Sequence, residues 1–397
     1  MIGISFIRRS ALTVLWICLA ASVAADSNHP DLETSQVLSL DVAAIERDAQ
    51  SGNPFELVLG DTRLTVVLTP APIWPEEGLT ILEVRRDGAM TTRVEKGNIT
   101  YAGEVVGDDP EKSEVRFTIA GGVLQGSVQS SAGWWFIEPL ARYAKTDTGQ
   151  YLVYEPRHVK ISGDFGSDGV RSDEVFEPFK YTCPELDGRI RVGMVADRQY
   201  LNIQDPFTYW QRQTALVNEI SGIFWAQFRK RVRLSLSMAD FDGTWLTSTN
   251  ADTLLFELDN VDTGVKLWLQ GRKDLCSDIV HLTTAKELDG ITHGVAHQPG
   301  QTGLSQQAAG NTEALYYRNY ILATHEIGHN FDAIHGEADE WCAPIPNDPF
   351  HCIWRHTLDW EAFLVTHIAR FSDGTIEACN NNEQRMKVNM ASRHLWP

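Results

Sequence analysis

The chain has 397 residues, room for two domains of ordinary size, and its 43% hydrophobic content can fill two cores. Its formal charge of −19 argues against a nucleic-acid partner, whose phosphates call for clustered Lys and Arg; the surplus of carboxylates serves solubility. Nothing in the composition marks a disordered chain.

Taken in chain order, Arg8 and Arg9 precede an apolar run from Ala11 to Ala21 and then Ser22-Val23-Ala24-Ala25, the pattern of a secretory signal peptide over residues 1–25. Paired arginines also open twin-arginine export signals, but a charged leader accounts for them. The run is too short to span a membrane and no later segment could do so, so no membrane insertion is expected. The mature chain is placed outside the cytoplasm, in the medium or in a Gram-negative periplasm. From Leu38 to Tyr154, within a unit of residues 26–155, short alternating strands with glycine-bearing turns read as an all-β domain, as in Arg63–Leu68 and Glu114–Ile119. Trp134-Trp135-Phe136 reads as an aromatic core strand rather than a carbohydrate platform. Residues 156–186, rich in Gly, Ser and charge, read as an exposed linker where a protease would cut.

From Arg189 strands and helices alternate, so residues 187–397 form an α/β (α+β) domain with a mixed sheet. The expected elements are a strand Ile190–Ala196, a helix Phe207–Phe228, a strand Val232–Met238, a helical region Ala251–Leu269, a strand Asp278–Leu282 and a helix Tyr317–Phe331. The basic cluster Arg229 to Arg233 is the polar end of the first helix passing into a strand. Five cysteines remain outside the leader: Cys183, Cys276, Cys342, Cys352 and Cys379. An odd number leaves one thiol over in an oxidising compartment, and Cys342 with Cys352 is the expected pair. Cys183 is expected in a disulfide with Cys276 or Cys379, the alternative being a thiolate that holds a metal centre latent.

That metal centre is written in eleven residues, His325 to His335, a helical HExxH followed six residues later by a third histidine. Residues four apart share a helix face, so His325 and His329 can reach one ion while Glu326 stands beside it. A continuing helix would carry His335 roughly 9 Å further along the axis and to another face. The helix must therefore end between them, and Asp332 is the residue expected to take the left-handed conformation of that turn. Three neutral histidines leave tetrahedral Zn²⁺ one position for water, whose pKa falls to about 7, and Glu326 is the base that takes its proton. His293 and His297 are polar residues of a strand edge, not further ligands.

His325 to His335 resembles the HExxHxxGxxH signature of the metzincin peptidases, and the run from Ala323 to Phe331 is similar to the adamalysin (reprolysin) branch. Ile190 to Asp197 resembles that family's first catalytic strand, and Tyr101–Gly107, Ser113–Arg116 and Gly122–Leu140 resemble its propeptide. The resemblance implies a secreted zinc endopeptidase made as a zymogen, acting on protein or peptide substrates. It also implies that Gly290, Ile291, Thr292, His293, Gly294 and Val295 form the sheet edge along which an extended peptide pairs. Two departures stand out. The family's turn methionine has no counterpart between His335 and Phe371; Asp359 takes its position, with Cys352-Ile353-Trp354 a competing candidate. Arg191 stands where the family places a calcium-binding glutamate, so calcium is not expected. Two rival readings remain: a catalytically impaired relative that binds peptides or partners through the same cleft, and a zinc hydrolase acting on a non-peptide amide or ester. Oligomeric state is not readable from the sequence.

Overall fold

The computed structural model describes residues 29–85, 90–110, 112–143, 149–160, 167–171, 189–259, 277–289, 292–309, 312–333, 350–352, 368–370 and 382–392. The leader, Cys183, Cys276, Gly290, Ile291, His335, Cys342, Asp359 and Cys379 lie outside the described residues. Strands of the N-terminal half are β1 (Gln36–Ser39), β2 (Pro54–Leu59), β3 (Thr62–Pro70), β4 (Leu79–Val84), β5 (Met90–Glu95), β6 (Thr100–Val105), β7 (Glu114–Ala120), β8 (Val123–Ser130), β9 (Gly133–Pro139) and β10 (Gln150–Tyr154). They are followed by β11 (Ser167–Arg171), β12 (Ile190–Ala196), β13 (Val232–Asp240), β14 (Ile279–Thr284), β15 (Thr292–His297) and β16 (Thr302–Gln306). The helices that matter here are α1 (Val42–Ser51), α2 (Arg198–Leu201), α3 (Tyr209–Phe228), α4 (Ala251–Asp259), α5 (Tyr316–Asn330) and α6 (Asn382–Ser392).

Two eight-stranded sheets organise these elements into a strand-rich mixed α/β fold. The first runs β1-β10-β9-β8-β7-β6-β3-β2 and is antiparallel throughout. The second runs β11-β15-β16-β14-β12-β13-β4-β5. In it β12 lies parallel to β13 and β14, β14 parallel to β16, and β15 antiparallel to β16. Helices α3 and α5 lie between the sheets, in one core with Trp134, Phe136 and Tyr154 of the first sheet and Val192, Met194 and Ile279 of the second. α1 covers the other face of the first sheet, and α4 packs with Leu236, Val280 and Val295 on the far face of the second.

Three sequence expectations change here. Residues 38–154 are not all strand: Val42, Ile45 and Ala49 recur at helical spacing and are buried. Asp41 accepts from Ala44 N at 3.0 Å to start this helix, and Gly52 ends it at φ 66°. The same stretch also divides between the sheets, because β4 runs parallel to β13 with Leu79, Ile81, Leu82 and Val84 buried, and β5 pairs beyond it. Finally, the stretch beginning at residue 156 is not uniformly exposed. Val159 is buried and bridges Leu32, and β11 pairs parallel with β15. The strand expected at a sheet edge is thus paired on both sides.

Downstream, the α/β alternation follows the sequence closely. α3 ends at Arg229 with φ 54° and β13 begins at Val232, so the basic cluster is the helix-to-strand corner. Arg191 pairs with Asp278, Nε to Oδ2 at 3.3 Å, and its backbone N–H donates to the same carboxylate at 2.7 Å. Among the described residues no helix is long and apolar enough to cross a membrane.

Candidate active site

α5 sets Glu326 against Gly294 of β15 and carries His325 and His329 one turn apart, while Tyr317, Tyr320, Ile321 and Ile327 enter the core between the sheets. The helix N-terminus carries no side-chain cap of its own. Its first amides are met from the other sheet: Tyr316 N–H donates to Glu138 Oε1 at 3.4 Å and Tyr317 N–H to Tyr154 Oη at 3.2 Å. Glu138 is itself held by Arg142, whose Nη1 donates to it at 2.8 Å and whose Nε donates to Asp205 at 2.5 Å. Tyr316 Oη donates to Ala215 O at 2.7 Å and ties α5 to α3.

The imidazoles of His325 and His329 stand 4.7 Å apart between ring centroids, at 88°. His325 is 6% exposed; Glu326 and His329 are fully buried. His329 Nδ1 lies 2.8 Å from Ala333 O, so Nδ1 carries the hydrogen and Nε2 the lone pair that a metal needs. This orientation depends on the chain turning at once: Phe331 N–H and Ala333 N–H return to Gly328 O, and Asp332 takes φ 75° between them. Asp332 therefore adopts the left-handed conformation expected of it. Among the described residues no three His, Cys, Asp or Glu side chains gather as a metal cluster, and the expected third ligand, His335, falls outside them. The donor chemistry present fits a borderline metal ion: two imidazoles one helical turn apart, one with its Nδ1 held on a backbone carbonyl.

Of the strand residues, Thr292, His293, Gly294 and Val295 are described. Gly294 lies directly against Glu326, and a Cβ there would overlap Oε1 of the carboxylate. β15 can approach the expected base this closely because residue 294 has no side chain. His293 bonds Gln306, and His297 Nε2 lies 3.5 Å from Asp259 Oδ2; the polar edge expected to explain both is instead an interior strand, paired with β11 and β16. Two positioning roles carried no sequence signal beyond residue type. Asn330, immediately after His329, donates Nδ2 to His297 O at 3.1 Å and Thr302 O at 2.8 Å. It fastens β15 and β16 to the end of α5. Gln298 Nε2 donates to Ala333 O at 2.5 Å, on the same carbonyl that orients His329.

Residues 211–336 match the family model of the M12B reprolysin-like metallo-peptidases. That match runs from α3 to one residue past His335 and so contains every proposed ligand. A crystal structure of metalloproteinase-II from Bacteroides fragilis resembles the chain with 11% sequence identity and a TM-score of 0.45, over 88% of this chain and 94% of that one. No curated protein matches the sequence.

Proposed function

We propose that the chain is a zinc-dependent endopeptidase, exported from the cytoplasm and made in a latent form. The observation that carries this reading is the buried His325-Glu326-His329 constellation with the backbone of β15 drawn against the Glu326 carboxylate, inside a segment that matches a metallo-peptidase family. Zinc, held by His325, His329 and His335, would supply a Lewis acid for the scissile carbonyl and acidify a water. Glu326 takes the proton from that water and delivers it to the leaving amine. β15 offers an extended peptide its backbone groups, giving affinity for a chain without demanding one side chain. Asn330 and Gln298 hold the strand and the turn in place while this happens.

What supports the latent form is β11, whose residues 167–171 pair with β15 from Thr292 to His297. That is the strand face a substrate would need, and β11 belongs to the stretch where proteolysis is expected. Cys183 would add a thiolate near the metal if it is not in a disulfide.

The test is cleavage of an unfolded protein by the secreted chain, with chelator, zinc add-back and Glu326→Gln run in parallel, before and after proteolysis between residues 172 and 188. Chelator-sensitive cleavage that vanishes in the variant and rises after linker proteolysis is expected. Turnover that survives Glu326→Gln would remove the mechanism, and full activity before any cut would remove the latency.

A further inference from the structure

The interface between the first sheet and α3 is polar where a buried interface is ordinarily apolar. Along β7, Val115, Phe117 and Ile119 enter the core under α1, so Glu114, Arg116 and Thr118 face α3. Register sets Arg116 opposite Ser127 and Glu114 opposite Gln129, and Gln129 opposite Trp134. Between this row and α3 lies a cavity of about 670 Å³, within the usual range for a small-molecule site. Trp134, Ile223, Trp225 and Tyr320 supply apolar wall. α3 comes close to the charged row because residue 222 is glycine: a Cβ there would stand 3.2 Å from Arg116 Nε and 3.4 Å from Glu114 Oε1.

The hydrogen bonding in this cavity is unfinished. Ser127 Oγ donates to Glu219 Oε2 at 2.8 Å, while the buried Glu219 Oε1 has no partner. Neither has the buried Nε2 of Gln129. Arg116 gives its Nε–H to Glu114. A buried donor or acceptor left without a partner forfeits its hydration with nothing in return, and native proteins seldom leave two in one cavity without an occupant. Once Glu219 is ionised, charges in the lining balance: Glu104, Glu114 and Glu219 against Lys112, Arg116 and Arg229. A simple cation would leave Gln129 Nε2 unmet, and a simple anion would face Glu219. A ligand carrying both signs satisfies every open group.

We propose that this cavity binds a small zwitterion of the α-amino-acid class, its ammonium on Glu219, its carboxylate on Arg116 and the Gln129 amide, and its side chain against Trp134, Ile223 and Tyr320. The site is separate from the peptidase constellation and does not depend on that reading. It also has a proton signature. Burial pushes the Glu219 carboxyl up to about 8, so near neutral pH the acid keeps its proton until an ammonium arrives and displaces it.

The test is titration calorimetry of the intact Glu326→Gln chain in chelator, so that the metal centre contributes nothing. The common L-amino acids are the probes, each best binder being compared with its N-acetyl and methyl-ester forms. Expected are saturable binding of at least one free amino acid, release of a proton at pH 7 read from buffers of different ionisation enthalpy, and at least tenfold weaker binding of both blocked forms. Glu219→Gln should weaken binding at least tenfold, and Gly222→Leu, which fills the cavity, should abolish it; melting curves check that each variant is folded. Equal binding of either blocked form overturns the zwitterion assignment. No binding by any amino acid overturns the proposal and leaves a water-filled cavity.

Discussion

Asp332 holds the turn that hands the chain from His329 toward His335, at a φ of 75° that few residues besides glycine accept. Replacing it with glycine should leave unfolding by urea nearly unchanged, whereas Asp332→Val should cost about 1–2 kcal/mol and lower zinc affinity, measured by competition with a chromophoric chelator. This residue was legible because helix geometry alone forces a break between His329 and His335. Gly294 was not legible in the same way: its contact with Glu326 exists only once β15 is laid across α5, and nothing local to residue 294 announces that neighbour. Glu219 is a third case, a carboxyl inside an apolar-looking helix whose partners come from the other sheet. Its ordinary value of 4.5 is pushed up to about 8 by burial. Between those values the folded protein keeps a proton that the unfolded chain has shed, so this group's contribution is complete below about pH 4.5 and is lost as pH rises toward 8. Glu219→Gln, which imitates the protonated acid, should therefore match the parent near pH 4 and exceed it at pH 8.5 by on the order of 2–4 kcal/mol in urea unfolding. A variant no more stable than the parent at pH 8.5 would show that Glu219 is ionised in the fold.

Among the elements, α5 depends on another sheet for its beginning. Leu315 caps nothing, and the amides of Tyr316 and Tyr317 go to Glu138 and Tyr154. Tyr154→Phe keeps the packed ring and removes the hydroxyl that accepts from Tyr317 N–H and bonds Glu138, so denaturant unfolding should show a loss of about 1–3 kcal/mol, with hydrogen exchange rising at the start of α5. Unchanged stability would mean that water replaces the hydroxyl. The strands β12 and β13 and the helix α3 could be read to within a few residues because their apolar periodicity is strong and their ends are marked by Asp197 and the basic corner at Arg229. α1 was missed because the short segment sits among strands, although its buried residues keep helical spacing. β4 and β5 fall inside the stretch read as short strands, but a strand reading does not say which sheet receives the strand. β11 was harder still, since a Gly- and Ser-rich run with little apolar character carries no strand signal and is recruited by the backbone of β15.

Seen whole, the two halves of the chain share their cores. Trp134, Phe136, Leu152 and Tyr154 of the first sheet pack with Tyr316, Tyr317 and Tyr320 of α5 and with Ile220 and Phe224 of α3. The β4–β5 hairpin completes the second sheet beside β13. A cut between residues 172 and 188 should release β11 without separating the halves: the fragments should run together on gel filtration in buffer and apart only in denaturant. Separation in buffer would return the N-terminal half to the role of a discarded propeptide. The arrangement also sets an order of events at the ribosome. β4 emerges more than a hundred residues before its neighbour β13, so the first sheet can form early while β4 waits with one side unpaired. The second sheet is closed only when the C-terminal half arrives, through contacts of long sequence separation that are slow to form. The N-terminal half is thus a template present before the strands it will receive, and a chain started at residue 187 would be born without the surface on which its sheet is meant to grow.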